Sequence, residues 1–131
     1  MVLTITPGDV FHVPLPRKDF CHIHIIITSV DQNTGAFLCV PVDSWENQRL
    51  SDPTVILNVG DHKFITKKSY INYDEAKILN YDQISLWFMD GSAKKFDPLD
   101  QDLFEKVRLG VKKSIHTNDR CREFYDYFLY K

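Results

Sequence analysis

Cys21-His22-Ile23-His24-Ile25-Ile26-Ile27-Thr28-Ser29-Val30, then Asp31-Gln32-Asn33-Thr34-Gly35, then Ala36-Phe37-Leu38-Cys39-Val40-Pro41-Val42: an apolar run, a polar break and a second apolar run. Dense β-branching favours extended backbone, and an Asp/Asn/Gly break favours a tight reversal, so this stretch predicts a β-hairpin. Upstream, Pro7-Gly8-Asp9 is a turn signal before a short strand over Val10-Phe11-His12-Val13, and Pro14 to Asp19 is a polar loop. Downstream, Asp43 to Pro53 predicts a loop, with Trp45 folded back over an apolar edge. Strands follow at Thr54-Val55-Ile56-Leu57-Asn58-Val59 and at Ala76-Lys77-Ile78-Leu79. Short strands separated by turn signals favour a barrel or a strongly curled sheet over a parallel α/β fold.

The periodicity changes after residue 80. Tyr81, Ile84, Trp87 and Phe88 fall at helical spacing behind the potential caps Asn80 and Asp82, and Gly91 ends the segment. Leu99, Leu103, Val107 and Val111 recur every four residues, widened by Phe104 and Ile115. Acids crowd the start of that helix and bases its end, which suits the helix dipole. A third helix from Asp119, capped by Thr117 or Asn118, is expected to bury Cys121, Phe124, Tyr125 and Phe128. The expectation is one α+β domain over 1–131, mainly β: a barrel part over 1–80 of about five strands, and about three C-terminal helices packed on it.

The chain of 131 residues is 44% hydrophobic and 13% aromatic, enough for one real core. With 16 basic and 18 acidic side chains, its net charge of −2 gives no global field toward nucleic acid or an anionic membrane. Cys21, Cys39 and Cys121 are far apart and lie in apolar stretches, which predicts free, reduced, buried thiols. Met1 to Gly8 lacks the pattern of a secretory signal, and the run Ile25-Ile26-Ile27 is far too short to span a bilayer, so a cytoplasmic protein without membrane contact is expected.

The chemistry-bearing candidates cluster in two places. Gly60-Asp61-His62-Lys63-Phe64-Ile65 sets an acid, an imidazole and an ammonium side by side after a strand end. An imidazole exchanges protons near neutrality, a neighbouring lysine holds a phosphate, and an aspartate fixes the imidazole tautomer. The bland alternative is a turn whose side chains satisfy loop backbone. Ser69-Tyr70-Ile71-Asn72-Tyr73 adds hydroxyl and amide groups nearby, and Lys67-Lys68 with Lys63 makes a basic cluster beside Tyr70 and Tyr73, a mixture that suits single-stranded nucleic acid. Lys94-Lys95 and Lys112-Lys113 read as solvated faces. The second place is His22 and His24, two apart on a predicted strand and so on one face. They suit acid–base work on a phosphodiester, or a half-exposed strand face; with only His12 and His62 to complete a zinc set, no metal is expected. No Walker loop, GxGxxG or nucleophile elbow is present.

The order of Pro7-Gly8-Asp9-Val10-Phe11, His24 to Thr28, Val40-Pro41-Val42, and Ser69-Tyr70-Ile71 to Ala76-Lys77-Ile78 resembles the PemK/MazF family of small toxin endoribonucleases, over about residues 7 to 80. The resemblance implies an SH3-like barrel and metal- and cofactor-independent cleavage of single-stranded RNA, with a cognate antitoxin and a homodimer as partners. The family's catalytic arginine falls where this chain has His22 and His24, with Arg17 in the preceding loop. Its catalytic threonine or serine falls on Asp43, beside Ser44. Transferred residue by residue, His22 or His24 would act as base or acid with His62 as the other, oriented by Asp61. Arg17 or Lys63 would steady the phosphorane, and Lys67, Ser69, Tyr70, Asn72 and Tyr73 would line the substrate. The competing class is a non-catalytic nucleic-acid- or protein-binding module, since such barrels serve both ends. A further option is a toxin–antitoxin partner or regulator that presents Phe124, Tyr127 and Tyr130.

Overall fold

The computed structural model describes residues 3–14, 23–46 and 49–129. The predicted hairpin forms from β2 (Ile23–Ile26) and β3 (Ala36–Ser44), antiparallel with His24 opposite Pro41 and Ile26 opposite Cys39. Its turn is held by the Asp31 carboxylate, which accepts from the Asn33 N–H and the Thr34 hydroxyl. β1 (Val10–His12) lies on the other side of β2. β3 is long enough to serve two neighbours along its far edge. Its first half pairs with β6 (Lys77–Asn80), and its last three residues pair with β5 (Ser69–Ile71). β4 (Ile56–Leu57) borders β5, and β7 (Lys94–Phe96) borders β1.

The result is an antiparallel sheet of seven strands in the order β4-β5-β3-β2-β1-β7, with β6 also on β3. Among the described residues it is open, ending at β4 and β7, and does not close on itself. Of the strand expected over Thr54 to Val59, Ile56 and Leu57 form β4, and the Val55 carbonyl before them also accepts from the Ile71 N–H. β7 was not expected at all, because its Lys94 and Lys95 are solvated as predicted yet still pair through backbone with His12 and Phe11.

Three helices follow the expected plan: α1 (Tyr81–Met89), α2 (Gln101–Lys113) and α3 (Asp119–Leu129). Asn80 caps α1 by accepting from the Asp82 N–H, Asp100 caps α2 through Leu103, and Asn118 accepts from the Cys121 N–H at the start of α3. None of the described helices is long and apolar enough to cross a membrane.

Strand alternation sorts the core into two clusters. Val10, Ile25 and Val40 face one side and pack with Val107 and Val111 of α2 and Cys121 and Tyr125 of α3. Phe11, Ile26, Phe37 and Cys39 face the other side and pack with Ile84 of α1. The sheet is thus sandwiched between α1 on one face and α2 with α3 on the other. Ile115, expected to widen the apolar stripe of α2, lies beyond that helix and is 87% exposed. Cys39 and Cys121 are buried and form no disulfide, and burial pushes the Cys121 thiol up, as expected of inert core cysteines. Cys21 lies outside the described residues.

Candidate functional site

The Gly60–Ile65 loop leaves β4 through a left-handed backbone at Gly60, φ 104°, which explains a glycine there. Asp61 closes the turn on itself: its carboxylate accepts from the Asn58 N–H at 2.7 Å and its own N–H donates to the Asn58 carbonyl. It therefore fixes backbone, not the imidazole. His62 is oriented by backbone instead. Its Nδ1 accepts from the Phe64 N–H at 3.3 Å, so Nε2 carries the proton and donates to the Asp97 carbonyl at 2.6 Å. The ring also stacks at a tilt against Phe64, 4.5 Å between centroids. Lys63 reaches the same residue, Nζ to Asp97 Oδ2 at 3.1 Å, in a largely exposed pair. At the loop's end Ile65 is buried in the cluster with Ile25.

Asp97 follows β7 and leads through Pro98 to Asp100, the cap of α2. The loop and this segment enclose a groove of about 530 Å³ lined by His62, Lys63, Ile65, Asp97 and Asp100. A second groove of about 370 Å³ runs on between Asp61, Asp100, Asp102 and Lys106. Across both, the carboxylates of Asp61, Asp97, Asp100 and Asp102 outnumber the ammonium groups of Lys63 and Lys106. Asp97, Asp100 and Asp102 carry no sequence signal for this role, since what brings them to the loop is contact across more than thirty positions. Among the described residues no group of three or more His, Cys, Asp or Glu is placed to hold a metal ion.

The other candidates are placed elsewhere. His24 is 1% exposed, and its partners in register are Phe11 and Pro41. It therefore faces the α1 side of the sheet, with Phe11 and Ile26, whereas the loop's Ile65 belongs to the cluster on the α2 side. His24 and His62 do not form one cleft. His22 and Arg17 lie outside the described residues. Ser69 is buried and donates to the Lys67 carbonyl at 2.9 Å. Tyr70 is buried edge-on against Trp45, which folds back as expected.

Lys68 sits over the Trp45 ring, and Lys67 pairs with Glu46 at 3.2 Å on the exposed surface. Asn72, just past β5, donates to the buried Asp43 carboxylate at 2.7 Å and so ties the end of β5 to β3. Tyr73 is a core residue, not a substrate contact: fully buried, it donates to the Val107 carbonyl at 2.6 Å. Burial first, then the charge of Asp52, pushes its hydroxyl far above the ordinary tyrosine range.

No family model matches the chain, and neither does any curated protein or solved structure.

Proposed function

We propose that this chain is a divergent PemK/MazF-like module, its curled sheet an opened SH3-like barrel, that works by binding a protein partner as a regulator or toxin–antitoxin component and does not cut RNA through its histidines. The observation that carries this reading is the separation of His24 from His62: one is sealed on the α1 face, the other belongs to a loop docked on the α2 side. General acid–base cleavage needs both groups within reach of one phosphate. Both ring nitrogens of His62 are engaged with backbone, and Asp61 is engaged with Asn58. The carboxylate-rich grooves favour a protein with basic side chains over a polyanion.

A second reading, RNA cleavage, is favoured by His62 and Lys63 lying together at the rim of a groove, where they could serve a 2′-hydroxyl attack on its own phosphate. One assay decides between them. The chain and its His22→Ala, His24→Ala and His62→Ala variants are incubated with labelled single-stranded RNA, and the products are resolved on a denaturing gel. The binding reading expects intact RNA in all four. Cleavage by the parent chain that is lost in His62→Ala overturns it.

A further inference from the structure

The contacts of His62 fit only one protonation state of its ring. Nδ1 accepts from the Phe64 N–H at 3.3 Å and so carries no proton, while Nε2 donates to the Asp97 carbonyl at 2.6 Å. The neutral imidazole thereby joins two segments: its own turn, through Phe64, and the segment between β7 and α2, through Asp97. Phe64 is partly buried against the α2-side core, with its ring 4.5 Å from the imidazole. Both ends of the turn are fastened without the ring. Asp61 holds the Asn58 N–H, and Ile65 is buried, its N–H donating to the His62 carbonyl at 3.0 Å. What the imidazole alone secures is the stretch between them.

An imidazolium does not keep this arrangement. With a proton on Nδ1, two N–H groups face each other where a donor and an acceptor stood, whereas the Nε2 bond to Asp97 suits both states. The charges around the ring nevertheless draw a proton in. Its own loop brings Asp61 and Lys63, the segment after β7 brings Asp97, the cap of α2 brings Asp100, and Asp102 and Lys106 of α2 follow along the adjoining groove. Carboxylates are in excess there, so the field favours a positive ring at a place where the backbone accepts only a neutral one. Imidazole is the side chain whose charge changes near neutrality.

We propose that His62 is a proton-operated latch on the Gly60–Ile65 loop. Neutral, it holds Phe64 and closes the loop against the segment after β7, shaping the groove of about 530 Å³. When Nδ1 takes a proton from solvent, the Phe64 N–H is released to water, the two rings part, and the imidazolium turns its new N–H to the groove carboxylates. The contact is present while the ring is neutral and is lost as pH falls through its titration. This latch belongs to the loop itself and holds whether or not the groove receives a partner, so its test and the RNA assay fail separately.

The test is NMR of the full isotope-labelled chain, taken from about pH 8 down to about pH 5. At the upper end the His62 ring nitrogens should report a protonated Nε2 and a bare Nδ1, with NOEs between the His62 and Phe64 rings. On acidification those NOEs should fall severalfold and the Phe64 amide proton should move toward its free shift, both with the midpoint of the His62 ring itself. The variant His62→Asn keeps an acceptor oxygen near the position of Nδ1 and does not titrate, so its Phe64 amide shift should stay flat over the same range. A protonated Nδ1 at the upper end, or NOEs that persist unchanged through the ring's titration, would overturn the latch, and the parent chain alone decides both. So would an equal amide shift in His62→Asn, which would assign the change to another group.

Discussion

At Gly110 a single hydrogen atom decides whether α2 can dock. A Cβ built there would stand 1.9 Å from the Tyr73 hydroxyl oxygen. In an exposed helix, Gly→Ala gains about 1 kcal/mol of helix propensity. Here the gain is outweighed, because overpacking a rigid core costs about 1–3 kcal/mol. Moving the Tyr73 ring would also leave the buried Val107 carbonyl unpaired, at about 1–3 kcal/mol more. Gly110→Ala is therefore expected to lower the urea midpoint, and a raised midpoint would refute the packing argument. The same contact explains a failure of sequence reading. Tyr73 stands in a polar–apolar alternation that looks like a substrate surface, and nothing local reveals that its hydroxyl ends on a carbonyl thirty-four positions away. Asp61 misleads in the opposite sense: its adjacency to His62 suggests a catalytic pair, while its carboxylate turns back to Asn58.

Two element ends carry the next predictions. α1 ends at Asp90, a carboxylate set unfavourably at the negative end of a helix dipole. The Ser92 hydroxyl at 2.5 Å and the Ser92 N–H at 2.8 Å offset this, and those bonds hold the Asp90 carboxyl below the usual carboxylate range. A depressed folded value means the contribution is present above the ordinary aspartate pKa and is lost as pH falls through the lowered one. Ser92→Ala should move the Asp90 titration upward, as read by carboxyl-carbon NMR; an unmoved titration would sink the assignment. At the other end of α2, the Ser114 hydroxyl donates to the buried Asp52 carboxylate at 2.5 Å, and the Arg122 guanidinium donates to the Ser114 carbonyl. This ties the loop after β3 to the turn between α2 and α3. Ser114→Ala should cost about 1–3 kcal/mol in chemical denaturation, because Asp52 loses a donor where water cannot replace it. A change under a few tenths would show that the lock is not used. The helices were legible because 3.6-residue periodicity and caps are local signals. β7 was not, since Lys94-Lys95-Phe96 has no strand signature and pairs only because the turn after α1 returns the chain to β1.

At the scale of the whole molecule, β3 is the longest described strand and the one that joins three others, β2 on one side and β6 and β5 on the other. The hairpin that builds it is local, which is why the two apolar runs around Asp31–Gly35 announced it, whereas the choice between an open and a closed sheet depends on strands far apart in sequence. Its side chains from Phe37 to Asp43 are buried on both faces, under α1 and under α2 with α3. Opening β3 requires both core clusters to come apart, so its amides should exchange only through global unfolding. β4 and β7 are two and three residues long and end the sheet, so each can peel away with one neighbour and one ladder lost. Native-state hydrogen exchange followed by NMR should accordingly rank Leu38, Cys39 and Val40 among the slowest amides, with free energies matching the global value from denaturation. Lys95 and Leu57 should exchange at lower free energies and with weaker dependence on denaturant. Protection at β7 equal to that at β3 would mean that the edge is covered in solution and that the sheet does not end where its backbone pairing ends.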